Sequence, residues 1–201
     1  MIYQDCDSQF HTIKEGNEKI IAKYGIEHPY ILCIGTLEER KNQLELIKAF
    51  EQLNFSGDLI LIGRETKYLT RIKEYLKGKD ISKRVKFIHN VNFSDLPAFY
   101  NQAKVFVYPS KIEGFGIPVI EALNQEVPTI STKGTVMEEA GGDAALYYET
   151  GNIVELKNLL EKILNDSVLA QGMIEKGLEH VQKFRAERTL KQLINVYRRL
   201  I

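Results

Sequence analysis

Six short apolar runs, separated by stretches of helical period, leave this chain few folds to choose from. The runs are Tyr30–Ile34, Asp58–Ile62, Val85–Ile88, Val105–Tyr108, Thr129–Ser131 and Ala145–Tyr148. Each is nearly continuous in apolar residues, as a strand covered on both faces must be. Between them lie helical stripes: Leu44, Ile47, Phe50 and Leu53, then Leu96, Phe99 and Tyr100, then Leu156, Leu159, Leu160, Ile163 and Leu164. The last set follows the i, i+3, i+4, i+7, i+8 spacing of one helix face. Strands alternating with helices at these lengths imply βαβ units and a parallel sheet. Right-handed crossovers then restrict the topology to doubly wound forms. The expectation is an α/β fold, a Rossmann-like six-stranded parallel sheet in the order 3-2-1-4-5-6 with helices on both faces.

A chain of 201 residues, 44% apolar, can bury a proper core. Residues 1–28 carry one helical stretch, Glu15–Tyr24, and no defensible strand, so they are expected to be a lead-in or interdomain segment. Residues 29–166 hold the sheet, and 167–201 are expected to be C-terminal helices. There Leu190, Leu193, Ile194, Tyr197 and Leu200 form an apolar face that needs a surface to cover. Lys plus Arg and Asp plus Glu both number 27, so no global field draws nucleic acid or an anionic membrane. Cys6 and Cys33 lie far apart without metal or CxxC spacing, which disfavours a disulfide framework. The first residues lack the basic and apolar regions of a signal peptide, and no run reaches the roughly 18 apolar residues of a spanning helix. A cytoplasmic setting is expected.

A doubly wound sheet binds ligands at the carboxyl ends of its strands, where the winding reverses. In the expected order, strands one and four are neighbours there. The loop after strand one reads Gly35-Thr-Leu-Glu-Glu-Arg-Lys-Asn42, and that after strand four reads Pro109-Ser-Lys-Ile-Glu-Gly-Phe-Gly116, opening into a helix at Ile117-Pro118. Proline suits the first helical turn, and Gly114 and Gly116 allow a ligand close to the backbone. A helix N-terminus so exposed suits a phosphate. Across the crevice, Arg40 and Lys41 can neutralise a diphosphate without a metal. Glu113 and Glu121 belong to the same loop-and-helix unit, where sugar hydroxyls are fitting partners for a carboxylate. No GxGxxG follows any strand and no GxxxxGK[ST] occurs, which disfavours dinucleotides and excludes a P-loop. Asp5-Cys-Asp7 has DxD spacing, but it lies outside the sheet, and no metal is expected.

The segment Glu113-Gly-Phe-Gly-Ile-Pro-Val-Ile-Glu121-Ala-Leu resembles the E-x7-E signature of glycosyltransferase family 4, within the GT-B fold. Gly35-Thr through Arg40-Lys-Asn resembles that family's diphosphate loop, and Asp95-Leu-Pro-Ala-Phe-Tyr, Val107-Tyr-Pro-Ser110 and Glu138-Glu-Ala-Gly-Gly-Asp fit as well. The likeness runs from about residue 29 to 166, and Ile2-Tyr-Gln-Asp-Cys-Asp resembles the family's interdomain segment. The Arg-Lys-Asn variant is similar to mannosyltransferases that build cell-surface polysaccharides.

The resemblance implies one half of a GT-B fold: the nucleotide-sugar donor domain of a retaining, metal-independent glycosyltransferase, with an acceptor-binding N-terminal domain missing. It implies a catalytic role for Glu113 beside the donor sugar and ribose binding by Glu121. Gly35, Arg40, Lys41, Gly114, Phe115, Gly116 and Ile117 would surround the diphosphate, and His89, Asn90 and Val91 the nucleobase. The cofactor expectation is none. In a full-length enzyme, membrane association would be at most peripheral, at the inner face of the cytoplasmic membrane. A non-catalytic nucleotide or nucleotide-sugar binding module is the alternative. Three positions depart from the family pattern: Thr36 stands where many relatives have Arg, His89 replaces a common Gly, and Glu126 occupies the site of a capping Gly, which argues for an altered turn.

Overall fold

The computed structural model describes residues 3–198. Strands β1 (Tyr30–Ile34), β2 (Asp58–Ile62), β3 (Val85–Ile88), β4 (Val105–Tyr108), β5 (Thr129–Thr132) and β6 (Ala145–Tyr148) form one sheet in the order β3-β2-β1-β4-β5-β6. Every pairing is parallel. The order is the expected one, and five of the six strands have the expected bounds; β5 runs one residue further, to Thr132.

Side chains alternate across the sheet and supply two cores. Leu32, Ile60, Phe106 and Tyr108 join a cluster on one face, where α1 (Asn17–Ala22), α4 (Leu96–Asn101), α5 (Ile117–Asn124) and α6 (Met137–Gly141) pack. Ile31, Cys33, Leu59, Leu61, Val105 and Val107 join the other, under α2 (Gln43–Glu51), α3 (Tyr68–Leu76), α7 (Ile153–Asn165) and Met173 of α8 (Ser167–His180). Helices therefore cover both faces, and strands buried on both sides need the unbroken apolar runs seen in the sequence.

The flanking segments pack on the first of these cores. Cys6, Phe10, Ile21 and Ile26 from the lead-in join it, as do Val181 and Phe184 after α8. The lead-in helix is shorter than its sequence pattern because Gly16 adopts φ 79 and starts it, leaving Glu15 outside. A 3-10 turn, Ser8–His11, escaped the pattern altogether; Asp7 caps it through the Gln9 N–H. Helix α9 (Ala186–Tyr197) buries none of its residues: Leu190 is 58% exposed, Ile194 40% and Tyr197 65%. Leu200, at the end of its expected apolar face, lies outside the described residues, as does Ile2.

The expected altered turn after α5 is not found. Glu126 itself takes the left-handed conformation, φ 58. Its N–H bonds the Leu123 carbonyl and the Val127 N–H bonds that of Ala122. That pairing is the Schellman closure glycine normally provides, made here with a Cβ in a region that costs about 1–2 kcal/mol. The tertiary fold dictates the turn, and the residue accepts the strain.

Candidate nucleotide crevice between strands one and four

The loops after β1 and β4 meet across the carboxyl ends of their strands. Lys111 N–H donates to the Arg40 carbonyl at 2.8 Å, and the Arg40 guanidinium reaches the Ile112 carbonyl at 3.0 Å. Asn42, at φ 58, turns the chain from the Glu39–Lys41 3-10 turn into α2, which points Lys41 back into the crevice. Asparagine tolerates this conformation better than most residues.

Glu113 lies at the centre of this junction. One of its oxygens, Oε1, accepts from Lys41 Nζ at 2.5 Å, Ser110 Oγ at 2.5 Å and Arg40 Nη1 at 3.0 Å. Beneath it, Lys41 Nζ also meets the Tyr108 hydroxyl at 2.5 Å. The side chains of Lys41 and Glu113 are only 11% and 12% exposed, so this is a largely desolvated ion pair. Burial alone would raise the Glu113 pKa, but the bonds from Lys41 and Ser110 and the lysine charge prevail and lower it. The group is an anion at neutral pH.

Glu121 sits on the fifth residue of α5, partly buried. Its Oε2 accepts from the Tyr100 hydroxyl at 2.7 Å. Here burial wins: the pKa is raised, with the Asp7 charge adding to the effect and the tyrosine bond opposing it. Between the two carboxylates, Gly116 at φ 104 leads into α5, with Pro118 in the first turn. A Cβ at Gly116 would stand 3.2 Å from that of Ala140. No side chain caps α5; Pro118 has no N–H and the Val119 N–H bonds the Gly116 carbonyl, so the Ile117 N–H is the first-turn donor left without an intrahelical partner. Phe115 turns its ring away: it stacks on Tyr3 with centroids 5.8 Å apart and meets Phe184 edge-on at 5.6 Å.

The remaining expected residues follow the carboxyl ends of β1 and β3 directly. Gly35 lies directly against Gly63, where any Cβ would collide with the Gly35 carbonyl. His89 bonds the Gly63 carbonyl through Nδ1 at 2.6 Å and pairs with Glu65 through Nε2 at 2.7 Å. Asn90 takes φ 58 in the turn that follows, and Val91 packs against the core. The Asp5-Cys-Asp7 segment is engaged elsewhere. Asp5 accepts from His11 Nε2 at 3.1 Å and from the Ala186 N–H at 2.9 Å, and Asp7 caps its own turn. Among the described residues, Asp5, Cys6 and His11 bring ligand atoms within 4.8 Å of one another, a grouping that the Asp5–His11 pair already accounts for. A cavity of about 600 Å³ near His28, Asn54, Arg84 and Lys86 opens at the amino ends of β2 and β3 and shares no residue with the crevice.

Tyr100, Tyr108 and Ser110 were not singled out as polar site residues by the sequence reading. Tyr108 and Ser110 share one face of an extended segment aimed at the crevice, a period-two signal that could have revealed them.

A Rossmann-like sheet with two opposed loops, a glycine turn into a helix and a Glu–Lys–Arg cluster at the point where the winding reverses defines the class: a doubly wound α/β domain with a candidate ligand crevice. Residues 16–180 match the family described as glycosyl transferases group 1, and the chain belongs to that family. It is 30% identical over 186 residues to an O-antigen chain mannosyltransferase B of Escherichia coli, a match covering 90% of this chain and 49% of that protein. A capsular polysaccharide biosynthesis glycosyltransferase, CapM of Staphylococcus aureus, is 28% identical over 94% of this chain and 52% of its own length. The crystal structure of Anabaena Alr3699/HepE in complex with UDP superposes with a TM-score of 0.88 at 19% identity, over 98% of this chain and 56% of that one. The chain spans about half the length of these curated relatives. Its fold is one Rossmann-like half of the GT-B arrangement.

Proposed function

We propose that this chain is the donor-binding half of a retaining, metal-independent glycosyltransferase that moves mannose or a similar hexose in surface polysaccharide or glycolipid synthesis. The observation that carries the reading is the meeting of Glu113, Lys41, Arg40 and Ser110 in the crevice, beside the open N-terminus of α5. A nucleoside diphosphate entering there meets two side-chain cations and a helix N-terminus, which together balance charge that a divalent ion would otherwise carry. Lys41 then exchanges part of its bond to Glu113 for a phosphate oxygen. That exchange frees Glu113 to accept from donor-sugar hydroxyls and to stabilise positive charge developing at the anomeric carbon. Gly35, Gly114 and Gly116 give backbone access to the diphosphate, with Phe115 and Ile117 beside it; His89, Asn90 and Val91 border the base, and Glu121 takes the ribose.

The relatives' names support a polysaccharide role, and their greater length supports a partner domain that holds the acceptor. Such an enzyme works in the cytoplasm, at most peripherally attached to the membrane's inner face; no helix among the described residues is long and apolar enough to cross a bilayer.

Calorimetry with GDP, UDP and ADP, and with the mannose and glucose conjugates of the preferred base, tests the reading. We expect one diphosphate series to bind, with the same affinity in chelator. Absence of binding by all three would overturn it, and strong inhibition by chelator would reject metal independence. When the chain is joined to its acceptor domain, NMR of the product's anomeric configuration tests retention.

A further inference from the structure

Four tyrosines are among the largest fully buried side chains: Tyr30, Tyr100, Tyr108 and Tyr148. Burial makes each hydroxyl need a partner. Tyr30 finds a backbone carbonyl, that of Phe99, and Tyr148 lies in the opposite core beside Glu45. The other two lie beneath the crevice, Tyr108 under Lys41 and Tyr100 under Glu121.

The Tyr100 ring has little freedom. Phe10 meets it edge-on at 5.8 Å and Phe106 at 4.9 Å, and its helix is set by Pro97 in the first turn. The hydroxyl is therefore a fixed point. Its pKa is pushed well above the ordinary tyrosine value, first by burial and then by the Glu121 charge, so it remains a donor throughout the working pH range. A free glutamate side chain has three torsions to order on binding, at a cost approaching 2 kcal/mol. A carboxylate tied through Oε2 to a fixed donor has already lost much of that freedom, while Oε1 keeps its acceptor capacity.

Resting on the donor-site reading above, we propose that Tyr100 is a positioning residue that aims Glu121 at the 2′ and 3′ hydroxyls of the ribose, and so makes the site selective for ribonucleotides over their deoxy analogues. It touches no substrate atom itself. A hydroxyl present only to satisfy a buried polar group would support the fold and leave ligand discrimination alone.

The test uses the 201-residue chain, calorimetry with GDP and UDP, and the 2′,3′-dideoxy form of whichever binds more tightly. Wild type should prefer the ribonucleotide by about tenfold or more, one to two hydrogen bonds to a charged acceptor. Tyr100→Phe keeps the ring and should weaken the ribonucleotide about three- to tenfold, with dideoxynucleotide affinity within about twofold. On a Glu121→Ala background the same substitution should change neither affinity, which separates positioning from a general loosening. A Tyr100→Phe protein whose ribo-to-dideoxy ratio equals that of wild type overturns the proposal, whether both affinities hold or both fall. A wild type without any ribonucleotide preference instead defeats the ribose assignment of Glu121 on which it rests. Thermal melting of each variant shows whether the fold is intact at the assay temperature.

Discussion

Glu113 and Glu121 begin and end one E-x7-E segment, yet they sit in opposite electrostatic surroundings. Glu113 is held by a lysine, an arginine and a serine, and its pKa is lowered. Glu121 has a tyrosine and, among the described residues, no paired cation, and its pKa is raised by burial. A carboxylate surrounded by donors contributes to the fold and must exchange a partner before it can act. A buried carboxylate with one neutral partner costs stability until a ligand's hydroxyls arrive. The first is pre-charged chemistry, the second unmet hydrogen-bonding capacity.

The largest expected effect breaks the first side of this contrast. Glu113→Ala strands Lys41 in a desolvated position and should destabilise the fold by about 2–4 kcal/mol in denaturant titration. Because the folded-state pKa of Glu113 is depressed, its stabilisation is full at neutral pH and is lost as pH falls through that depressed value. The deficit of the variant should shrink in the same acid window. A deficit that stays constant there would mean that packing, not charge, is what Glu113 supplies.

Glu121 should behave in the reverse sense. Its raised folded-state pKa means that its contribution is full below the ordinary carboxylate value and is lost as pH rises through the raised one. Glu121→Gln should thus melt at or above the wild-type temperature at neutral pH. Glu121→Ala should weaken nucleotide binding by about 1.5–3 kcal/mol, roughly ten- to a hundredfold. A Gln variant markedly less stable than wild type would erase the contrast.

Lys41 sharpens the comparison because, among the described residues, it pairs with Glu113 and not with Glu121. Lys41→Ala should lower affinity for a nucleoside diphosphate by about tenfold while leaving the free nucleoside unchanged, since a point charge on phosphate has no reach to the base. Equal losses for both ligands would assign the residue to packing. The smallest effect belongs to the far end of α5. Glu126→Gly should relieve the left-handed strain and stabilise by about 1 kcal/mol, raising the melting temperature by about 2–4 °C without altering binding. A binding change there would show that the helix transmits its C-terminal strain to Glu121.

Strand order and nearly every strand boundary were legible in the sequence, because a sheet buried on both faces leaves continuous apolar runs that nothing else in the chain imitates. The convergence of Arg40, Lys41 and Glu113 followed from the same topology, once β1 and β4 were set side by side. What stayed hidden depends on features without periodicity. The Ser8–His11 turn is too short to show a repeat, and Gly16 decides the start of α1 by backbone conformation rather than pattern. Tyr100 and Tyr108 read as core residues, which they are, but their hydroxyl partners come from other elements and leave no local trace. Glu126 shows the converse limit: its residue type argued against the turn that tertiary closure imposes.

The ring of Phe115, wedged against Tyr3 and Phe184, ties the glycine turn to residues remote from it in sequence. Tyr3 is in turn held by Glu139 and by Thr189 of α9. The turn is therefore anchored through Phe115 to Tyr3 and to the segment after α8. On the proposed donor-site reading, damage at Tyr3 or Phe184 should surface as weaker ligand binding, and a geneticist mapping such lesions would find binding phenotypes at both margins of the domain.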